Sequence, residues 1–192
     1  RETESLAQVQ QYFDLVIVHG DPAFIRLEET FPLADDIQNK IAYSGIVAAP
    51  VPKRGADAFD VVVSAGGGAV GIDLVRASFE AARQLPKVGR WCVIAGPNMP
   101  QAEFEEVSAN APDGVSLVRF RKDFPSLLAS ARLSISQAGY NTVCDILNAR
   151  CRSVLVPFAA GGETEQSVRA ERLGALGLAH VLEEDALTGD AL

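Results

Sequence analysis

The sequence predicts an α/β domain built on a parallel sheet with helices on both faces, preceded by a shorter α/β segment. Three observations predict it. Six short, continuous apolar runs alternate with amphipathic helical stretches after residue 58, and strands of that kind are buried on both faces, as they are in parallel sheets. Polar, glycine-bearing turns follow several of these runs, and right-handed crossovers would place all such turns on one edge of the sheet, where ligands bind. Finally, residues 46–57 contain Ala48-Ala-Pro-Val-Pro-Lys-Arg-Gly55, a stretch whose prolines, glycine and charges read as a linker between domains.

Taken in order, residues 5–12 read as helix, 13–19 as a buried strand broken by Gly20-Asp-Pro22, 24–31 and 33–39 as short helices, and 41–44 as a brief strand. After the linker, strands are expected at 59–64, 90–95, 115–120, 133–136, 153–157 and 179–182. Helices are expected at 70–85, 101–109, 124–131, 141–149 and 163–176. The organisation is then 1–45 as the end of one domain, 46–57 as linker, and 58–192 as a second domain truncated at its end. The chain starts without Met inside a helical pattern and stops where another helix begins, which reads as a fragment.

Composition narrows the function classes. Hydrophobic residues make up 48% and charged residues 22% of the 192 residues, ordinary values for a globular chain with a substantial core. A formal net charge of −8 argues against a nucleic-acid groove or a polybasic membrane patch. No apolar run approaches the roughly 20 residues of a membrane span, and no signal peptide opens the chain. Cys92, Cys144 and Cys151 are wrongly spaced for structural zinc, and Cys92 in its apolar strand reads as a buried, reduced thiol. A reducing cytoplasm is expected, with the full-length protein free to lie at a membrane periphery.

The turns carry the chemistry. Ser64-Ala-Gly-Gly-Gly-Ala-Val70 joins a β-branched strand to a helix, and Gly66, Gly67 and Gly68 would let the backbone approach a diphosphate, or simply make a tight turn. It is neither a P-loop nor a dinucleotide fingerprint. Phe120-Arg-Lys-Asp-Phe124 ends the third strand; it is either a solvated charged turn or a backbone platform for a nucleobase.

Two further segments repeat one design. In Ser136-Gln-Ala-Gly-Tyr-Asn-Thr-Val-Cys-Asp145, Gly139 makes the turn, Asn141 or Thr142 can cap the helix, and Asp145 lies about one turn inside. In Val154-Leu-Val-Pro-Phe158 running to Gly161-Gly-Glu-Thr-Glu-Gln166, a glycine pair precedes Glu163, Glu165 and Gln166. Helix N-termini hold anions, and carboxylates or amides just inside them can hold sugar hydroxyls. Together those groups suit a nucleotide-sugar. Asp145 could equally complement the helix dipole, and Glu163 could be a cap. His19 and Asp21, flanking Gly20, could supply a base, though a lone His at a strand end is more often structural; His180 is given no role.

In its order of motifs, the chain from residue 59 onward resembles the C-terminal, donor-binding domain of glycosyltransferase family 28, which includes the peptidoglycan-precursor N-acetylglucosaminyltransferase. The resemblance is most specific over 136–166, and Tyr43-Ser-Gly-Ile-Val47 resembles the family's strand into the linker. It implies a GT-B type Rossmann-like domain with a fragment of the N-terminal acceptor domain before it. It also implies roles: Gly66, Gly67 and Gly68 against the diphosphate; Phe120 and Arg121 at the uracil, largely through backbone; Ala138, Gly139, Tyr140, Asn141 and Thr142 as the second phosphate-facing turn. Asp145 would hold the ribose, and Glu165 and Gln166 would read the sugar.

The implied activity is inverting transfer of a hexose or N-acetylhexosamine from a UDP-sugar, without an obligatory metal or other cofactor. The acceptor, a lipid-linked or small-molecule glycoside, is unidentified, and the catalytic base is expected from an N-terminal part outside this chain, so the fragment alone should be inactive. The sequence departs from the family at Asp145, where Glu is usual, at Ala65, where a glycine is usual, and at Glu165-Gln166, where Gln-Gln is frequent. Two alternatives stay open: a UDP-sugar 2-epimerase-like enzyme, and a non-catalytic donor-binding subunit that needs a separate acceptor-binding partner.

Overall fold

The computed structural model describes residues 2–67, 71–159 and 164–192. Two compact units emerge, Arg1–Ala48 and Ala49–Leu192.

In the first unit, helix α1 (Glu2–Tyr12) leads to strand β1 (Val16–Val18), which pairs in parallel with β2 (Ile41–Tyr43). The expected strand over 13–19 is thus shorter, and the two expected helices between the strands are 3-10 segments, Leu27–Glu29 and Pro32–Lys40. Pro32 at the start and a non-helical Ile37 (φ −126°, ψ 18°) keep the second from becoming a regular α-helix. Lys40 closes the unit: its ammonium donates to the carbonyls of Val9, Gln10 and Phe13 at 2.7–3.3 Å, supplying donors to the carbonyl end of α1. His19 Nδ1 lies 2.8 Å from Ser44 Oγ, and Asp21 accepts from the Ala23 N–H at 2.8 Å. Both make local contacts that hold the turn after β1.

The second unit is the parallel α/β domain that the alternation predicts. Its strands are β3 (Val61–Ser64), β4 (Trp91–Ile94), β5 (Val115–Val118), β6 (Leu133–Ser136), β7 (Ser153–Leu155) and β8 (His180–Val181), all paired in parallel. The helices are α2 (Ile72–Gln84), α3 (Gln101–Ala109), α4 (Phe124–Ser130), α5 (Tyr140–Ala149) and α6 (Glu165–Ala175). Expected and observed elements match in number and order here, with strand ends trimmed by at most two residues and β6 as expected.

Burial explains why apolar runs become strands. Every residue of β3 and β4 is buried, and Val61, Val63, Trp91 and Val93 share one core with Leu74, Val75 and Phe79 of α2. Each such side chain contributes roughly 1.5–3 kcal/mol on leaving water. Ser134 and Ser136 are also buried, on one face of β6, where their hydroxyls bond each other at 2.8 Å and so avoid an unsatisfied polar group.

The strand order is β5-β4-β3-β6-β7-β8. Chain direction along the sheet therefore reverses between β3 and β6, and the crevice above the carboxyl ends of those two strands is where such sheets bind ligands. The turns after β3 and β6, which carry the candidates Gly66, Gly67 and Gly139, both end at this crevice. Beyond β8, a 3-10 turn (Glu184–Ala186) leads the chain back over α2: Gly189 N–H donates to Glu80 and Gln84 donates to Asp190 at 2.6 Å. A side chain at Gly189 would come within 2.4 Å of the Glu80 Cβ, so this return needs glycine.

Candidate nucleotide-binding cleft

At the reversal point the turn after β3 and the turn after β6 are tied together by a hydrogen bond from Gln137 N to Ser64 O, 3.1 Å. Gly66 takes φ +77°, a conformation that demands glycine, and a Cβ there would lie 2.5 Å from the Gln137 Oε1, so the glutamine side chain would also have to move. Gly67 is different. Nothing lies within 4 Å of the position its Cβ would take, and its carbonyl is held by the Asn98 side-chain amide at 2.6 Å. Gly68 lies outside the described residues.

After β6, Gly139 precedes α5 with φ −61° and ψ 145°, and it too has open space where a Cβ would be. The expected capping by Asn141 or Thr142 does not occur: the N-cap is Gly139, no side chain caps it, and α5 starts at Tyr140. Asn141 and Thr142 therefore lie in the first turn. Their N–H groups precede the first bond of the helix, Val143 N to Gly139 O at 3.0 Å, and have no partner among the described residues. A glycine cap lacks a side chain that could occupy those donors, so the helix end remains open to an anion.

Gly66, Gly67, Phe120, Arg121, Asn141, Thr142 and Asp145 line one cleft of about 210 Å³ with Ser64, Ile94, Gly96, Pro97 and Phe124. This is smaller than the roughly 300–1,000 Å³ typical of sites that enclose a small molecule, and it suits part of a nucleotide. Gly96 and Pro97 were not singled out from the sequence; the signal was available in Ala95-Gly-Pro97, a glycine–proline turn closing the β4 strand.

Phe120 is 61% exposed at the rim, an apolar ring facing water beside the cleft. Its backbone N–H and C=O have no partner among the described residues. The Arg121 guanidinium is already committed: it grips Asp123 through two bonds of 2.7 Å and reaches Asp57 at 2.9 Å. These hydrogen bonds raise the Arg121 pKa above the usual arginine value and hold that of Asp123 below the usual carboxylate range. Arg121 thereby fixes the turn, and its side chain does not offer a free charge.

Asp145 stands apart electrostatically. It is half-buried on α5 and has no hydrogen-bond or ion-pair partner among the described residues. Burial alone pushes its pKa up. It is also the one carboxylate lining the cleft among the described residues. A desolvated carboxylate without donors is an energetic deficit that a ligand bearing hydroxyls would relieve.

The remaining candidates are not brought to this cleft. Ala138 is fully buried, and its carbonyl accepts from Arg169 at 2.7 Å. The same guanidinium pairs with Glu165 and lies 5.7 Å from the centre of the Tyr140 ring. Gln166 Oε1 accepts from the Phe158 N–H at 3.2 Å. Gly161, Gly162 and Glu163 lie outside the described residues. All three cysteines are free and buried, and burial pushes the Cys92 thiol up to about 11, leaving it unreactive.

Comparison with known proteins identifies the family and the fold. Residues 61–192 match the family profile described as glycosyltransferase family 28 C-terminal domain. Among curated proteins, the UDP-N-acetylglucosamine--N-acetylmuramyl-(pentapeptide) pyrophosphoryl-undecaprenol N-acetylglucosamine transferase of Alkaliphilus oremlandii is 29% identical over 134 residues, covering 69% of this chain and 36% of that protein. Among solved structures, the calicheamicin glycosyltransferase CalG4 superposes with a TM-score of 0.62 at 24% identity, over 97% of this chain and 44% of CalG4. Acinetobacter baumannii MurG superposes with a TM-score of 0.61 at 20% identity, over 96% of this chain and 51% of MurG. The chain thus spans about half or less of these relatives, and the structural matches establish the GT-B-like fold.

Proposed function

Since the chain belongs to glycosyltransferase family 28 through its C-terminal domain, we propose that its second unit holds the nucleotide of a UDP-sugar in the cleft between the β3 and β6 turns. The observation that carries this reading is Asp145, a half-buried carboxylate without a partner, on the same helix whose open N-terminus faces the cleft. The helix end would take the negative diphosphate, and Asp145 one turn further would accept hydrogen bonds from the ribose hydroxyls. Phe120 would lie against the uracil, with its free backbone groups reading the base edge. Gly67, with open space above it, would admit the diphosphate close to the backbone.

In the parent enzyme this domain would present the anomeric carbon to an acceptor hydroxyl, with inversion. As the C1–O bond to the diphosphate breaks, negative charge grows on the leaving oxygen, and the N–H groups of α5 stabilise it. Orientation by ribose and base supplies the rest of what this domain contributes. On this reading no metal is obligatory, because the N–H groups at the helix end stabilise the leaving diphosphate, so EDTA should leave UDP affinity unchanged. Residues 1–45 are read as the end of the acceptor-binding domain, and the catalytic base as belonging to a part of the enzyme outside this chain. The transferred sugar is a hexose or N-acetylhexosamine. The epimerase alternative calls for further acid and base carboxylates, whereas Asp145 is the cleft's one carboxylate among the described residues.

Titration calorimetry of the 192-residue chain tests the proposal. A cleft that encloses only part of the ligand should bind UDP with roughly −4 to −6 kcal/mol, from about millimolar to tens of micromolar. Asp145→Ala should weaken UDP more than uracil, because it removes ribose contacts and leaves the base site intact. Equal losses for the two ligands would reject Asp145 as the ribose residue, and no UDP binding at millimolar concentration would reject the cleft.

A further inference from the structure

The opposite edge of the sheet carries a second charged feature. A cleft of about 420 Å³ is lined by Arg54, Arg132, Arg150 and Arg152, with Leu128 and Ala149 among its apolar walls. Arg132 immediately precedes β6 and Arg152 immediately precedes β7, so the cleft lies at the amino ends of strands whose carboxyl ends carry the nucleotide cleft. The linker completes it. Asn148 on α5 holds the Ala49 carbonyl at 2.5 Å, and Gly55 donates to Ser130 of α4 at 3.0 Å. The segment carrying Arg54 is thus pinned at both ends.

All four guanidiniums are exposed, and only Arg132 has a partner among the described residues, Asp60 at 3.5 Å. No carboxylate lines the cleft among the described residues. The carboxyl ends of α4 and α5 point here and account for about half a negative charge each. Set against four guanidiniums and one carboxylate, that leaves a local excess of about two positive charges on a chain of net charge −8.

Arg150 is informative for a separate reason. It occupies a left-handed C-cap at φ +54°, a position that favours glycine. The backbone there would be better served by Gly, while the arginine complements the carboxyl end of α5 and places its charge at the rim of the cleft.

We propose that this arginine cleft is a second anion site, binding a phosphate group of two negative charges or more. Guanidiniums match phosphate through paired N–H donors and are weakly hydrated, so several converging on one cavity select a multiply charged phosphate over chloride. The site is independent of the nucleotide cleft and requires neither Asp145 nor the α5 N-terminus.

The test is a titration of the 192-residue chain with inorganic pyrophosphate, read residue by residue through the arginine Nε–H resonances. Those of Arg150 and Arg152 should shift and saturate. The double variant Arg150→Gly/Arg152→Gln should bind about tenfold more weakly, with Tm unchanged or raised because glycine suits the left-handed position. Sedimentation with vesicles containing phosphatidylinositol 4-phosphate, whose monoester phosphate carries about two negative charges, against pure phosphatidylcholine vesicles identifies the source. Variant-sensitive binding to the anionic vesicles assigns a lipid headgroup, and pyrophosphate binding without vesicle binding assigns a soluble phosphate. If pyrophosphate affinity is the same in variant and wild type, or if neither arm gives saturable binding, the proposal is wrong. Neither result bears on UDP at the other edge.

Discussion

The turn from β6 into α5 and the turn from β7 into α6 look alike in sequence, yet the structure treats them in opposite ways. Each is a strand, a glycine and a helix with polar residues in its opening turns. At α5 those groups are left open: Asp145 has no partner and the cap is a bare glycine. At α6 they are consumed internally, Glu165 by Arg169 and Gln166 by the Phe158 N–H. The difference teaches that a polar residue at a helix start becomes a site when the surrounding fold declines to satisfy it. Arg169 decides the matter, since one buried guanidinium ties α6 to the Ala138 carbonyl beneath α5.

The largest expected effect comes from cutting that tie. Arg169→Ala removes charge-assisted bonds to Ala138 and Glu165 and should lower stability by about 2–4 kcal/mol, measured by urea unfolding. Glu165→Gln, which leaves the Ala138 bond in place, should cost far less. Equal losses in the two variants would show that the ion pair, and not the tie to α5, does the holding.

Next comes Asp145, where stability and binding should move in opposite directions. Its folded pKa is raised by burial, so the ionised carboxylate opposes folding. The penalty is fully present above the raised pKa and disappears as pH falls through it toward the unfolded value, where both states are protonated. Asp145→Asn should therefore be more stable than wild type at pH 7, with the advantage vanishing in acid, while UDP affinity drops by about 2 kcal/mol. A variant less stable than wild type at pH 7 would mean that Asp145 has an internal partner after all.

The paired glycines sharpen the same contrast on the β3 side. Gly66→Ala forces a side chain into φ +77° against Gln137 and should destabilise by about 1–2 kcal/mol. Gly67→Ala meets nothing within 4 Å, so thermal melting should show little change while UDP binding weakens. Unchanged UDP affinity in Gly67→Ala would place the diphosphate elsewhere.

The smallest effect is expected at Gln166. Gln166→Ala orphans the Phe158 N–H and should cost about 1 kcal/mol of stability; if the residue also reads the sugar, UDP-sugar should weaken by about 1–2 kcal/mol and UDP hardly at all. Gln166→Glu retains an acceptor for Phe158 and so separates the two roles. UDP falling as far as UDP-sugar in both variants would leave Gln166 as a support for the loop alone.

Much of this molecule was legible without coordinates. The parallel domain follows from local rules: fully apolar runs such as 61–63 can only be buried on both faces, and glycine turns must then share an edge. Gly66, Gly67, Asn141, Thr142 and Asp145 were found as candidates because glycine geometry and helix ends are local properties, and the structure gathers them in one cleft. The start of α5 was misplaced because a glycine N-cap has no side chain to advertise it. Helices were expected over 24–31 and 33–39 because helical periodicity cannot distinguish α from 3-10 winding once a proline and a kink intervene.

What the sequence determined by itself is the alternation of elements, the sheet's class, and which residue types stand at its ligand-facing edge, because each depends on neighbours within a few positions. Only the tertiary structure decided which of those residues are free. Arg121 meets Asp57 across 64 residues, Arg169 meets the Ala138 carbonyl across 31, and four arginines from three separate segments converge on one cleft. Partnership between groups far apart in the chain is set by how the strands are ordered, and no local pattern encodes it.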